Sequence, residues 1–188
     1  MSKPFDPNTA QNAIEIEKQF AVKAVEQAQT YWNLIEKVPP KELRLTKIDD
    51  EIYEDTLKTF PELAENDYAK LVKLDEEGMK NPEGKERWRA FIESPSVPFP
   101  VLLRLYKKKV KDYNFGSLIR TDARQEYGEN NTIFVTRIQF YAIEIARNRL
   151  GLNDAAHELA KAEAAKEKAQ KEKDEKAAAA AAKKKNKS

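Results

Sequence analysis

The chain has 188 residues, 40% of them hydrophobic and 35% charged, with no cysteine and a single histidine, His157. That length makes one domain with some chain left outside its core, and the composition excludes disulfides, thiol nucleophiles, thiolate metal sites and histidine metal clusters. The net charge of +2 hides an uneven spread: residues 49–77 net −8, residues 80–124 net +6 and residues 151–188 net +3, an asymmetry that steers partners more than it specifies a fold.

The opening MSKPFDPNTA lacks the apolar stretch of a signal peptide, and no apolar run reaches the roughly 18 residues that span a bilayer. A soluble cytoplasmic protein is expected, with residues 1–9 as a flexible start. Residues 10–38 read as one amphipathic helix, because Ala21, Val25, Ala28, Trp32 and Ile35 recur at spacings of four and three. Asn8 or Thr9 is placed to cap it, and Pro39-Pro40 stop it. A second helix is expected from a cap at Thr46, with Asp49 near its positive end, to Phe60 before Pro61. Residues 66–77 read as a third, acidic helix with Tyr68, Leu71 and Leu74 on one side and Gly78 at its C-terminal turn. Asn81-Pro82 starts a fourth, carrying Trp88 and Phe91. SPSVPFP, residues 94–100, holds three prolines in seven positions and is expected as a loop. VLLRLYKKKVKDY then offers a basic helix.

Residues 112–150 hold six of the fifteen Phe and Tyr, interrupted by Arg120, Arg137, Gln139, Glu144, Arg147 and Asn148. Such a segment is either a core with paired charges or a core with a binding face. Asn114 and Gly116 suggest a turn, and SLIRTDA a short strand or extended bend. Thr132 is expected to cap a last core helix on which Phe134, Ile138, Tyr141, Ile145 and Arg149 share a face, ending at Gly151. The fold class that follows is mainly α, an orthogonal helical bundle with at most a small β-hairpin near 115–135. Its single domain spans 10–153. From 154 the chain is an Ala, Lys and Glu-rich tail of high helix propensity, in which Glu163 and Glu167 each have a Lys at helical spacing. The tail is expected to be a solvated helix or disordered, outside the core.

FGSLIRTDA and NTIFVTRIQFYAIEIARNRLGLN are similar to the closing segment of the polysaccharide biosynthesis domain-containing protein family. LTKIDDEIY, residues 45–53, and ERWRAF, residues 86–91, resemble that family's earlier motifs in the same order, so the resemblance covers residues 13–153. The interval between ERWRAF and DYNFGS is longer than the family pattern, and residues 94–111 read as an insertion. The resemblance implies a helical fold. It also implies a role as a dedicated, ATP-independent chaperone for the translation elongation factor that delivers aminoacyl-tRNA. Such a chaperone binds the factor's nascent GTP-binding domain at the ribosome, together with the nascent polypeptide-associated complex.

The residues themselves favour no catalysis. In Asp49-Asp50-Glu51 and Asp75-Glu76-Glu77, helical neighbours diverge by about 100° and do not converge on one point. Five glycines form no phosphate loop. Neither enzyme activity nor any cofactor or metal is expected, although the family name points to carbohydrate biosynthesis as an alternative. A ribosome- or RNA-associated structural role through the Lys-rich tail is another alternative; interleaved acids weaken that field, and no specific nucleic acid is expected. As partner-binding candidates, Asp49, Asp50, Glu54, Asp75 and Glu76 would steer a basic client. Arg120, Gln139, Glu144 and Arg147 would belong to a client face on the last core helix, against the alternative that the charges there are buried pairs orienting that helix. Ala155 and Leu159, with Ala162, would form a small docking face on the tail.

Overall fold

The structure, a computed structural model, describes residues 10–93 and 106–185. The flexible start at 1–9 with its cap at Asn8 or Thr9, the loop at 94–100 and the first part of the basic helix lie outside those residues, so the expected insertion is described only from Tyr106 onward. The fold is mainly helical with a small two-stranded antiparallel sheet. Among the described residues no helix is long and apolar enough to cross a membrane.

Helix α1 (Ala10–Lys37) ends before the two prolines, and Pro40 begins a 3-10 turn. Its buried stripe is Ala24, Ala28, Tyr31 and Ile35. That corrects the expected stripe: Ala24 and Tyr31 replace Val25 and Trp32, one position away, and Ala21 and Val25 face solvent while Trp32 is half-buried. The helix is rotated so that Tyr31, not Trp32, reaches the interior, where its hydroxyl donates to Glu144.

Helix α2 (Asp49–Thr59) begins two residues later than a Thr46 cap would give. Asp49 is buried and accepts from Leu45 N, Thr46 N and Thr46 Oγ1 at 2.9, 2.7 and 2.6 Å. It therefore ties down the turn that precedes its own helix. The expected acidic helix over 66–77 is broken in two, α3 (Ala69–Val72) and α4 (Glu76–Lys80). Asn66, Asp67 and Tyr68 all take left-handed φ, at 49°, 54° and 62°, which no right-handed helix accommodates. Lys73 then bridges Asp122, and Asp75 caps α4 by accepting from Gly78 N at 2.9 Å, so Gly78 lies inside a helix rather than at a C-terminal turn.

Helix α5 (Pro82–Glu93) starts as its Asn-Pro signal predicts, with Asn81 accepting from Gly84 N at 2.6 Å. It supplies Trp88 and Phe91 to an aromatic cluster with Phe60 and with Tyr106 of α6 (Tyr106–Lys109).

Strands β1 (Gly116–Arg120) and β2 (Thr132–Thr136) form the hairpin, with Leu118 opposite Phe134. Thr132 thus opens a strand, not a helix. Helix α7 (Arg137–Leu150) starts five residues later behind Thr136, which forms a reciprocal capping box with Gln139. From Thr132 to Thr136 the run is β-branched apart from Phe134, a strand composition that outweighs a lone Thr cap. Phe134 accordingly stands 56% exposed on β2 instead of on the core face of α7. Gly151 closes α7 at φ 73°.

Helix α7 is the central element, lying against α2, α3 and both strands. Helix α8 (Asp154–Lys185) is the tail. Its helicity and the exposure of residues 165–176 agree with expectation. Its first turns do not, because Ala156 and Ala160 are buried and His157 Nδ1 meets the Ile35 carbonyl of α1. The core extends past residue 153.

Candidate functional site

The polar residues of α7 converge on a buried charge network. Glu144 sits between Arg147, one turn along α7, and Arg120 at the end of β1, and all three are fully buried. Arg147 Nη1 donates to Glu144 Oε1 at 2.6 Å and to the Arg120 carbonyl at 2.9 Å, and its Nε donates to the Leu71 carbonyl at 2.8 Å. Arg120 Nη2 donates to Glu144 Oε2 at 3.3 Å and to Asn153 Oδ1 at 2.6 Å. Tyr31 OH and Asn153 Nδ2 each donate to Glu144 Oε2 at 2.8 Å, and Asn148 Nδ2 donates to Tyr31 OH at 3.1 Å. Burial alone would push the Glu144 carboxyl up, but the two guanidiniums hold it below the usual range. Burial, opposed by Glu144, lowers Arg147, and burial raises the Tyr31 phenol.

These groups close on one another and offer nothing to solvent. Arg120, Glu144 and Arg147 are therefore internal ion pairs that tie α7 to β1, not a client face. Asn148 joins the network, Asp122 pairs outside it with Arg124, and Arg137 pairs with Asp112. Gln139 is occupied by the capping box, accepting from Thr136 N at 2.8 Å.

The expected acidic steering set is also dispersed. Asp49 holds the turn before α2 and Asp75 caps α4, as described. Asp50 is exposed but paired with Arg149, whose hydrogen bond lowers its carboxyl, and with Arg44. Glu76 pairs with Lys80. Glu54 is exposed and has no ion pair among the described residues. On α8, Ala155 and Ala162 are exposed and Leu159 is half-buried, beside the face that Ala156 and Ala160 bury.

Unneutralised carboxylates gather elsewhere. A groove of about 520 Å³ runs between α1, the β1–β2 connection and α8. Val25, Ala28, Trp32, Tyr127 and Leu118 make its apolar walls, and Glu126, Glu129, Glu163 and Glu167 its polar ones. Among the described residues none of these four glutamates has an ion pair, so Glu163 and Glu167 do not take the lysines expected from helical spacing. Partial burial and hydrogen-bonding contact with the Glu126 carboxyl raise Glu163, against the pull of the Trp32 indole N–H. The Trp32 and Tyr127 rings meet edge to face at 6.1 Å, and the Arg120 guanidinium lies 5.5 and 5.6 Å from their centres. The aromatic floor of the groove thus rests on the buried charge network.

A second groove, of about 360 Å³, lies between α5 and β2. It touches Trp88, Ile92 and residues 133–136 and carries Lys80, Lys85, Arg89 and Glu93. Neither groove was visible in the sequence, because each joins residues from distant segments. Among the described residues no group of His, Cys, Asp or Glu is arranged to hold a metal ion.

Comparison with known proteins places this geometry among relatives. A family model described as PBDC1 protein matches residues 16–158. The chain is 53% identical over 150 residues to the Protein PBDC1 homolog of Saccharomyces cerevisiae, covering 80% of this chain and 94% of that protein. It is 41% identical over 146 residues to Protein PBDC1 of Homo sapiens, covering 78% of this chain and 55% of the human protein. A solution NMR structure of a Saccharomyces cerevisiae protein is similar with a TM-score of 0.66 at 52% identity, covering 81% of this chain and 96% of that one.

Proposed function

The chain belongs to the PBDC1 protein family, and from that premise we propose that it is a client-specific, ATP-independent chaperone of the cytoplasm. Its client is the nascent GTP-binding domain of the translation elongation factor that delivers aminoacyl-tRNA. The observation that carries this reading is the groove walled by Trp32 and Tyr127 and edged by Glu126, Glu129, Glu163 and Glu167, none with an ion pair among the described residues. A protein that binds tRNA presents basic surface to phosphates. Before that protein is complete, its basic and apolar segments are exposed together. A groove with apolar walls and acidic edges suits such a segment on both counts. Glu54, exposed and without an ion pair among the described residues, adds to the negative field that draws it in. The exposed side of α8, with Ala155, Leu159 and the lysines beyond, is the element we assign to the nascent polypeptide-associated complex or the ribosome.

The test is cell-free translation of the factor's GTP-binding domain with purified chain added, reading the fraction of domain that stays soluble. The chain should raise that fraction, and a variant with all four groove glutamates changed to Gln should not, while unfolding at the same denaturant concentration or higher. No gain with the unaltered chain overturns the chaperone reading. An equal gain with the variant removes the groove from it.

A further inference from the structure

Among the described residues no strand lies against the outer edge of β2. At the ends of its ladder, Thr121 N donates to the Asn131 carbonyl at 3.1 Å and Arg137 N to the Phe115 carbonyl at 2.7 Å. Antiparallel ladders alternate between bonded and non-bonded pairs. Ile133 and Val135 therefore bond to β1, while Thr132, Phe134 and Thr136 turn their backbone groups away from it. Gln139 takes the Thr136 N–H. The Phe134 N–H and carbonyl have no hydrogen-bond partner among the described residues.

The groove beside them runs along that edge. It touches four consecutive strand residues, 133–136. Successive side chains leave a strand on opposite faces, so a cavity in contact with four in a row lies along the strand's side, not over one face. The Phe134 ring does not block it. The ring rests over Gly116 of β1, where an added Cβ would come within 1.9 Å, so it is held back across the hairpin. The opposite wall is apolar, from Trp88 and Ile92, and Lys80, Lys85 and Arg89 stand against one carboxylate, Glu93. Lys85 has no ion pair among the described residues. Lys80 and Arg89 hold only exposed pairs within their own surface, which bind weakly and exchange readily.

We infer that the outer edge of β2 is a strand-accepting site for an extended segment of a partner protein, apolar at alternate residues and acidic at its flanks. Unpaired strand groups are satisfied by another strand. The Trp88 and Ile92 wall takes every second side chain of that strand, and the cations take its acids. The charge is opposite to that of the acidic groove, so this inference does not rest on the chaperone reading, and a basic client segment would not compete for it.

The probe is the capped hexapeptide acetyl-Asp-Val-Thr-Val-Thr-Asp-amide, added to the full-length chain, with amide exchange read by NMR. Exchange of the Phe134 N–H should slow by about tenfold or more, as one new hydrogen bond of about 1.4 kcal/mol supplies. The same peptide N-methylated at alternate residues should not protect it. Lys85→Glu with Arg89→Glu, both on exposed positions, should weaken binding by about tenfold. No protection of Phe134 at about 1 mM peptide, or equal binding of the methylated peptide, overturns the proposal. Protection that grows with protein concentration in the absence of peptide makes the occupant a second copy of this chain, and also overturns it.

Discussion

Replacing Glu144 with Gln keeps the shape of the side chain and removes the carboxylate that pairs with two fully buried guanidiniums. Oε1 accepts from Arg147, and Oε2 accepts from Arg120, Tyr31 and Asn153. An amide has one oxygen, so its NH₂ must meet donors at one of these positions whichever way it is turned. Arg120 and Arg147 would then repel each other without a counter-charge. Breaking a buried pair by removing one partner costs about 3–5 kcal/mol, a large share of the roughly 5–15 kcal/mol that holds a domain together. Urea unfolding followed by tryptophan fluorescence measures it directly, since Trp32 lies against Arg120. The midpoint should fall steeply with an unchanged slope. The pH dependence has a definite sign. A carboxyl held below its ordinary value of 4.5 adds stability that is complete above that value and is lost as pH falls through the folded one. The Gln variant should therefore lose less stability between neutral pH and acid than the unaltered chain. A cost under about 1 kcal/mol with the same slope would refute the idea that this network holds α7 to β1.

Ile138 and Ile145 are both buried on α7, and truncating either to Ala should cost about 2–5 kcal/mol by denaturant unfolding. A chain ending at Asn153 loses the buried Ala156 and Ala160 and should be less stable by about 1–3 kcal/mol, whereas one ending at Glu172 should unfold within about 0.5 kcal/mol of the full chain. Glu163, raised by partial burial and by Glu126, favours the folded state when protonated, and that contribution disappears as pH rises through its folded value. Glu163→Gln should therefore stabilise the chain near neutral pH by a few tenths of a kcal/mol, and the gain should vanish in acid when followed by thermal unfolding.

Local signals were legible where one residue decides the backbone. Pro39-Pro40 ended α1, Asn81-Pro82 began α5 and Gly151 closed α7, as their chemistry requires. Errors arose where two readings share a pattern. Thr132 and Thr136 both precede apolar residues, and only the hairpin pairing selects the second as a cap. The stripes through Trp32 and through Tyr31 both include Ala28 and Ile35, and the partner that chooses Tyr31 is Glu144, far along the chain. The acidic 66–77 segment has helical periodicity, but Lys73 pairs with Asp122 instead. The charges on α7 allowed both a client face and buried pairs, and only their packing against β1 selects the pairs. The acidic groove was not legible, because Glu126 and Glu163 become neighbours only once α8 packs beside α1.

The reach of the charge network sets an order of events during the protein's own synthesis. Tyr31 and Glu144 are separated by 113 residues, and at roughly 5–20 residues per second the ribosome delivers the second about 6–23 s after the first. Asn153, which donates to that carboxylate, comes later still, and His157 meets Ile35 across 122 residues. For most of that interval α1 lacks the strand β1 and the helix α8 that it packs against. Its 28 residues exceed the roughly 12–15 below which an isolated helix is marginal in water, so it can wait as a helix. Its apolar face waits with it, uncovered, and the chain closes around that face only as its last helix emerges.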